Sequence, residues 1–467
     1  MKHLFLASAA AMALSQFVTP SQAETLKDAL AAAYEGNPDL EARRAALRAV
    51  DENAATAASG FRPNVQGQVN FQRTNTVNSV SPVPGVNNGS RIDFNSTDKN
   101  YVATVEQPIF RGFQTYNALK GANAEIRAER ERLRDFEQTT LVSTVTAYMD
   151  VVRDQAVLDL NQNQVDVLRR QLEASRDRFR VGEITRTDVA QSEARLAVAV
   201  SGRIAAEAQL TGSQEAYRRV VGRMPGTLED PFVPLLPPTE EDAVALGLDQ
   251  SPILIAARED EEAARHAINE AKGALLPTVG ARAQYVRNAG TSPQFGVDGF
   301  VGVDASSTRK SVGAQITIPI YQNGSEYSAV RRAKQTRSQR MLEIAAAERQ
   351  VVENVRNAWE QYRASQASIE SNQSSVRANE IALEGVRQEA AVGSRTTLDV
   401  LDAEQELLDA RVNLVRAERD KVVAAFQLAA AIGGLTARNL ELNVNYYDPL
   451  ENYSDVKWKF LGFGINK

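Results

Sequence analysis

The sequence predicts a mainly α-helical chain carrying a β segment, built from two copies of a helix-strand-strand-long helix unit. Three observations predict it. The first is a repeat: Gln107-Pro108 returns as Ile318-Pro319, Val181-Gly182 as Val392-Gly393, Asp188-Val189 as Asp399-Val400 and Val221-Gly222 as Ile432-Gly433, each 211 positions on (318 − 107 = 211). Upstream the offset is 214, with Asn37-Pro38 returning as Ser251-Pro252 and Arg62-Pro63 as Leu276-Pro277 (251 − 37 = 214). The second is a change of apolar period from helical spacing to two after each of Pro63 and Pro277. The third is a pair of long heptad stretches, marked by Leu158, Val165, Leu172 and Phe179 and by Ile369, Val376, Leu383 and Ala390. A period this long is too large for a solenoid unit. It reads as a duplicated half-domain whose copies pack side by side in one pseudo-symmetric body.

Met1 to Ala23 has a basic Lys2, an apolar core from Leu4 to Leu14 and the small-residue site Ser21-Gln22-Ala23. This is the pattern of a secretory signal peptide, and the mature chain is expected to start near Glu24. The first repeat then runs over 24–224, a Pro-rich linker over 225–240, the second repeat over 241–442 and a C-terminal tail over 443–467. Residues from about 25 to 59 and from about 252 to 273 are rich in Ala, Glu and Arg with helical spacing, and each stretch ends shortly before a proline. In the strand that follows, Val65-Gln66-Gly67-Gln68-Val69-Asn70-Phe71-Gln72, one face is apolar or small and the other is wholly amide. Segments near Tyr101 to Gln107, Val279 to Tyr285 and Val312 to Ile318 alternate similarly. Gly, Asn, Ser and Pro fill the stretches from about 76 to 99 and from 287 to 310, which read as long solvated loops.

The four strands admit two readings. A soluble protein with a half-buried antiparallel sheet shows the same alternation. So does a transmembrane barrel with its apolar face toward lipid and its polar face, here Gln66, Gln68, Asn70, Arg282, Gln284 and Gln315, toward a lumen. Four strands cannot close a barrel, because the smallest have about eight, so several chains must contribute in the second case.

From about Phe113 to Arg180 and from about Ser325 to Glu389 there is no proline, and at 1.5 Å per residue each stretch spans on the order of 100 Å as a helix. The apolar repeat follows Leu119, Ile126 and Leu133, shifts, and resumes at Val151 and Leu158. A seven-residue repeat imposes a left-handed supercoil, and the shift is a stutter that locally unwinds it. Each long helix turns at Val181-Gly182 or Val392-Gly393 and returns as a shorter helix to Val221 or Ile432. A rod-like coiled coil that only spaces other parts is the plainer reading, but it leaves the strands and the signal peptide without a use.

Lys and Arg number 53 against 59 Asp and Glu, for a formal charge of −6, which gives no support to nucleic-acid binding. No run after the signal approaches the roughly 20 apolar residues of a membrane helix. There is no cysteine, which excludes disulfides, thiol catalysis and a lipid-modified cysteine. The two histidines are His3, in the signal, and His266, in an ordinary helical stretch. An enzyme is therefore not expected, nor a cofactor or metal site.

Gln107-Pro108-Ile109-Phe110-Arg111-Gly112 leads from strand into helix. The turns read Val181-Gly182-Glu183-Ile184-Thr185-Arg186-Thr187-Asp188-Val189 and Val392-Gly393-Ser394-Arg395-Thr396-Thr397-Leu398-Asp399-Val400-Leu401-Asp402-Ala403. With the duplicated halves, these motifs make the sequence resemble the TolC family of trimeric outer-membrane ducts, over nearly all of the mature chain to about residue 442. Arg178-Phe179-Arg180-Val181-Gly182-Glu183 running into Thr187-Asp188-Val189-Ala190-Gln191-Ser192-Glu193-Ala194 looks most like the branch serving type I protein secretion. The resemblance implies a homotrimer with a twelve-stranded outer-membrane β-barrel continued by a twelve-helix periplasmic α-barrel. It implies a chain that resides in outer-membrane lipid and extends into the periplasm. Its implied partners are a periplasmic adaptor and an inner-membrane transporter of ABC type, from which the duct accepts substrates for export. A multidrug efflux duct of the same family is one alternative, and a non-transporting coiled-coil envelope scaffold is another.

The resemblance also implies that the turns form the closed periplasmic mouth and that Asp399 and Asp402 fall on the acidic pore constriction. Carboxylates at i and i+3 share a helix face, and threefold symmetry turns two into six around one axis. With few counter-charges nearby, such a ring selects cations. An acidic residue in a helix's first turn also satisfies orphan amides and the dipole, which serves equally for Asp399 and for Asp188 in the first copy. Asp402 differs, since its counterpart is Gln191 and capping does not require it. The family closes the mouth with links between halves. Arg395 and Thr187 match one link and Asp188 the acceptor of another, whose aromatic donor position is here Ala390. The tail, with Tyr446, Tyr447, Trp458 and Phe460, either extends the belt to which the family's linker region contributes or is loosely ordered.

Overall fold

The computed structural model describes residues 24–80, 82, 84, 85, 90–296 and 299–465; the signal-peptide reading lies outside them. The elements run α1 (Leu26–Gly36), α2 (Pro38–Ser59), β1 (Asn64–Val80), β2 (Ser90–Arg111), α3 (Gln114–Arg180) and α4 (Arg186–Val221). The second copy gives α5 (Glu240–Gln250), α6 (Pro252–Gly273), β3 (Thr278–Gly296), β4 (Gly299–Thr317), α7 (Ser325–Ala391) and α8 (Thr397–Ala431), and α9 (Glu451–Val456) follows. The duplication is visible in lengths. α3 and α7 have 67 residues each, α2 and α6 have 22 each, and α1 and α5 have 11 each.

The single helix expected from 25 to 59 is instead two. Asn37 ends α1 and opens α2, its Oδ1 accepting from the Asp39 and Leu40 amides at 2.9 and 3.2 Å, and Pro38 takes the first helical position, where its missing N–H costs nothing. Ser251-Pro252 makes the same break between α5 and α6.

Both passages from strand to long helix use two successive residues with positive φ, Gly112 (61°) with Phe113 (62°), and Asn323 (56°) with Gly324 (81°). The duplication has preserved the bend while exchanging which position holds glycine. At Gly112 a side chain has no room, since a Cβ there falls 2.2 Å from the carbonyl oxygen of Gly273.

The strands form one antiparallel sheet in the order β1-β2-β3-β4. The helices α2, α3, α6 and α7 all join it at one end, because Asn64 pairs with Glu106, and Arg111 with Thr278, which pairs with Thr317. The regions read as long solvated loops are a correction. β1 and β2 pair continuously from Asn64↔Glu106 to Val80↔Ser90, and β3 and β4 from Thr278↔Thr317 to Gly296↔Gly299. Their Asn, Ser and Thr residues extend the ladder beyond the alternating segment, and inter-strand amide bonds such as Asn75 to Asn95 at 3.0 Å tie side chains there. One face of the sheet nearer the helices carries Val65, Val69, Phe71, Tyr101, Val105, Tyr285, Val312 and Ile316, all exposed in the chain, Val312 at 87%. The opposite face carries amide rows, with Asn100 donating to Asn288 at 2.8 Å.

Two compact units divide the chain, each drawn from both copies. One holds residues up to Glu41, Asp135–Ser251 and Val351–Tyr446; the other holds Ala42–Arg134, Pro252–Gln350 and the residues from Tyr447. In the first, Leu26, Leu30, Tyr148, Tyr217, Phe426 and Leu428 are fully buried. Glu24 is built into this core. Its carboxylate accepts from the Tyr217 hydroxyl at 2.7 Å and from Arg223 at 2.7 Å, while the Tyr148 hydroxyl donates to the carbonyls of Glu24 and Glu229. In the second unit, the tail is ordered over Asn452 and Tyr453. Asn452 donates to the buried Asp51 at 2.9 Å and Tyr453 to Asn123 at 2.9 Å. Among the described residues no helix is long and apolar enough to cross a membrane.

Candidate functional site at the two helix turns

The turn from α3 to α4 and the turn from α7 to α8 are built alike. Gly182 (φ 80°) and Gly393 (φ 79°) end the long helices in the left-handed conformation. The amides of Glu183 and Ser394 then reach back five residues to the carbonyls of Arg178 and Glu389, at 2.9 and 3.0 Å. Three residues after each glycine a threonine opens the returning helix. The Asp188 carboxylate accepts from the Thr185 amide at 2.8 Å and its hydroxyl at 2.7 Å, and Asp399 accepts from Thr396 at the same two distances. Both are complete capping boxes. The Thr396 amide and hydroxyl hold the Asp399 carboxyl below the usual carboxylate range, with a smaller contribution from Arg395. Asp188 and Asp399 therefore do the same local work.

Asp402 has a partner that the sequence reading missed. One turn beyond the cap, its carboxylate accepts from the guanidinium of Arg195 on α4, a bond that joins the two copies. The expectation of few counter-charges around Asp399 and Asp402 is thus corrected. α4 and α8 pack so that position 195 faces position 402, and the pair stays half-exposed, at 37% and 53% of the side chains. A further ion pair fastens each returning helix to its long helix, Arg176 with Glu193 at 2.6 Å in the first copy and Arg387 with Glu404 in the second. These are the same two positions 211 residues apart, so their signal lies in the repeat itself. One residue back from Arg176 and from Glu193, the buried hydroxyls of Ser175 and Ser192 meet at 3.2 Å.

Arg395 donates to Glu389 at 2.9 Å within its own turn. That carboxylate raises the Arg395 pKa, and Asp399 adds to the effect. Thr187 is exposed in the first turn of α4, beside Asp188. Chemically, the two turns set carboxylates beside guanidiniums on capped helix ends. His266 is part-buried between Glu262 at 3.0 Å and Asn117 at 3.4 Å. Among the described residues no group of His, Asp or Glu is placed to hold a metal ion.

Comparison with known proteins finds the profile of the family described as outer membrane efflux protein matching residues 29–223 and 244–434, one segment to each copy. The chain belongs to the outer membrane efflux protein family. Outer membrane efflux protein BepC of Brucella suis is 36% identical over 97% of this chain and 96% of its own length. Outer membrane protein TolC of Escherichia coli is 26% identical over 92% of this chain and 86% of its own. Relatives named as protease secretion proteins match in the same range of identity. Among solved structures, the CmeC outer membrane channel of Campylobacter jejuni superposes with a TM-score of 0.74 at 14% identity, covering 92% of this chain and 89% of that one, and shows a shared fold. The family places the chain in the outer membrane, as a TolC-like efflux channel whose relatives include both efflux and secretion proteins.

Proposed function

We propose that three copies of the chain close a twelve-stranded barrel through the outer membrane and a twelve-helix barrel in the periplasm, through which substrates received from an adaptor and an ABC-type inner-membrane transporter leave the cell. The observation that carries this reading is the exposed apolar face of a sheet whose other face is amide-rich. A scaffold in water has no use for it, whereas a lipid-facing band requires it. Four strands with two open edges leave closure to neighbouring copies. The exported substrate in this reading is protein, in keeping with the motif around Val181-Gly182 and with relatives named for protease secretion. Small-molecule efflux is the second reading, favoured by the name and 36% identity of BepC.

In this assembly the turns form the periplasmic mouth, with Asp399, Asp402 and Arg195 from each copy around the axis. Arg395, Thr187 and Asp188 act in closing it, and Arg395 exchanges Glu389 for a neighbour near Thr187. The test places the gene in a host lacking its own duct but holding a type I transporter and adaptor, and reads both the secreted protein in the medium and resistance to efflux substrates. Secretion without resistance supports the protein-export reading; resistance without secretion replaces it with efflux. Neither, with a correctly inserted trimer that conducts no ions in a planar bilayer, overturns the duct.

A further inference from the structure

On the apolar face of the sheet, each strand carries a cation at the point where its apolar residues stop. Reading outward from the helix end, Arg73 follows Phe71 in β1, Lys99 follows Tyr101 in β2, Arg287 follows Tyr285 in β3 and Lys310 follows Val312 in β4, each two residues on and so on the same face. The register sets them in a line. Phe71 pairs with Lys99, Tyr101 with Arg287 and Tyr285 with Lys310, and Arg73 lies two residues beyond Phe71. Each cation is therefore the diagonal neighbour of the next, within about 7–8 Å between backbones. In a barrel whose strands tilt by 35–45°, a diagonal that runs with the tilt is brought level in the membrane plane.

All four side chains are exposed, and none forms an ion pair with a carboxylate among the described residues. Beyond the line the same face turns polar, with Asn75, Thr97, Thr291 and Thr308. Beneath it lie Phe71, Tyr101 and Tyr285, the first two ring to ring at 6.2 Å, which have the composition of an interfacial aromatic girdle. The helices join the sheet at its other end, so this line marks the outer boundary of the lipid-facing band.

We infer that Arg73, Lys99, Arg287 and Lys310 form a cationic rim that binds the phosphate groups of outer-leaflet lipids around the barrel. The inference rests on the barrel reading of the proposed function. Guanidinium and ammonium groups at that depth lie among headgroups, and phosphate is the charge-complementary group they meet there. The rim fixes the depth of the barrel and draws phosphorylated glycolipid to its wall.

The test follows the heat dissociation of the detergent-purified trimer while a diphosphorylated membrane glycolipid is titrated in. The same glycolipid without phosphates and inorganic phosphate at equal concentration are run in parallel. The phosphorylated lipid is expected to raise the dissociation temperature, with an effect that falls as salt rises, and the two controls are not. Replacing the four cations by Gln is expected to weaken the apparent affinity by at least about tenfold, while exchanging Arg and Lys at the four positions retains it. Equal stabilisation of the Gln variant, or of the native protein by the dephosphorylated lipid, overturns the rim. Stabilisation by inorganic phosphate alone makes it an anion site rather than a lipid site and overturns it too. If the Gln variant does not assemble, the dephosphorylated lipid and the salt series on the native trimer decide the matter alone. Failure of the native chain to form a trimer refutes the assembly instead, and the two failures are read on the same gel.

Discussion

At the scale of residues, what the two turns present depends on which charges are cancelled within one chain. Asp402 is held by Arg195, so in the proposed trimer the ring of Asp399 and Asp402 carries six carboxylates and three Arg195 guanidiniums rather than six carboxylates alone. Arg195→Ala is expected to free Asp402, increase cation selectivity and strengthen block by added trivalent cation in planar bilayers. Asp402→Asn does the reverse and leaves the capping box of Asp399 intact. Unchanged selectivity in both variants means that the pair lies away from the conduction path. Asp51 offers a pH-dependent case. Burial pushes its pKa up from 3.8 against the opposing Asn452 hydrogen bond and Arg130, and its Oδ1 is buried without a hydrogen-bond partner. A carboxyl raised in this way contributes most stability when protonated, below its unfolded value, and that contribution is lost as pH rises through the folded value. Asp51→Asn keeps an acceptor for Asn452 and is expected to raise stability at neutral pH by about 1 kcal/mol, a gain that vanishes below about pH 4 in thermal melts. Asp402 was legible in the sequence because Gln191 cannot explain it as a cap. Arg195 was not, since its partner lies 207 positions away on a helix whose rotation no single-helix pattern reveals.

At the scale of elements, the sequence made the long helices and their turns plain, because heptads, the Gly at each turn and a Thr three residues on are all local signals. It failed where local and long-range effects compete. The Asn- and Ser-rich stretches after residue 76 and after residue 287 look like loops one strand at a time, and become strands because a partner strand continues beside them. The bend between β2 and α3 tests how far backbone geometry dictates sequence. Gly112→Ala is expected to abolish the folded, heat-resistant species, because its Cβ meets the Gly273 carbonyl and no rotamer relieves it. Phe113→Gly removes a bulky residue from positive φ and is expected to ease backbone strain of about 1–3 kcal/mol, partly offset by the lost ring contact with Phe110 at 5.1 Å. A lower melting temperature for Phe113→Gly means that the ring contact outweighs the strain.

At the scale of the whole molecule, the question is how the open edges of β1 and β4 are satisfied. On an open edge strand, proline is tolerated wherever its amide points away from the neighbour; in a closed ring every amide is used. Ala314→Pro and Gln315→Pro occupy successive positions of β4, so one of the two amides points away from β3. Both variants are expected to lose the assembled trimer in outer-membrane extracts. Assembly surviving in one of them points to an unclosed sheet. The duplication fixed the number of strands and helices that each copy supplies, and this much was readable from the offset of 211. Assembly itself was read through resemblance, since no residue pattern in one chain counts its copies.

Glu24 carries a consequence for time. Its carboxylate and carbonyl are met by Tyr217, Arg223 and Tyr148, and its amide donates to the Thr227 carbonyl at 2.8 Å. These partners lie more than a hundred residues downstream, and two of them are fully buried tyrosines. Glu24 must therefore wait for about two hundred more residues to be made before it finds its place, and until then its carboxylate lacks the donors that Tyr217 and Arg223 supply. The apolar face of α1 beside it, with Leu26, Ala29 and Leu30, stays uncovered over the same interval and is a target for chaperones until its partners are made.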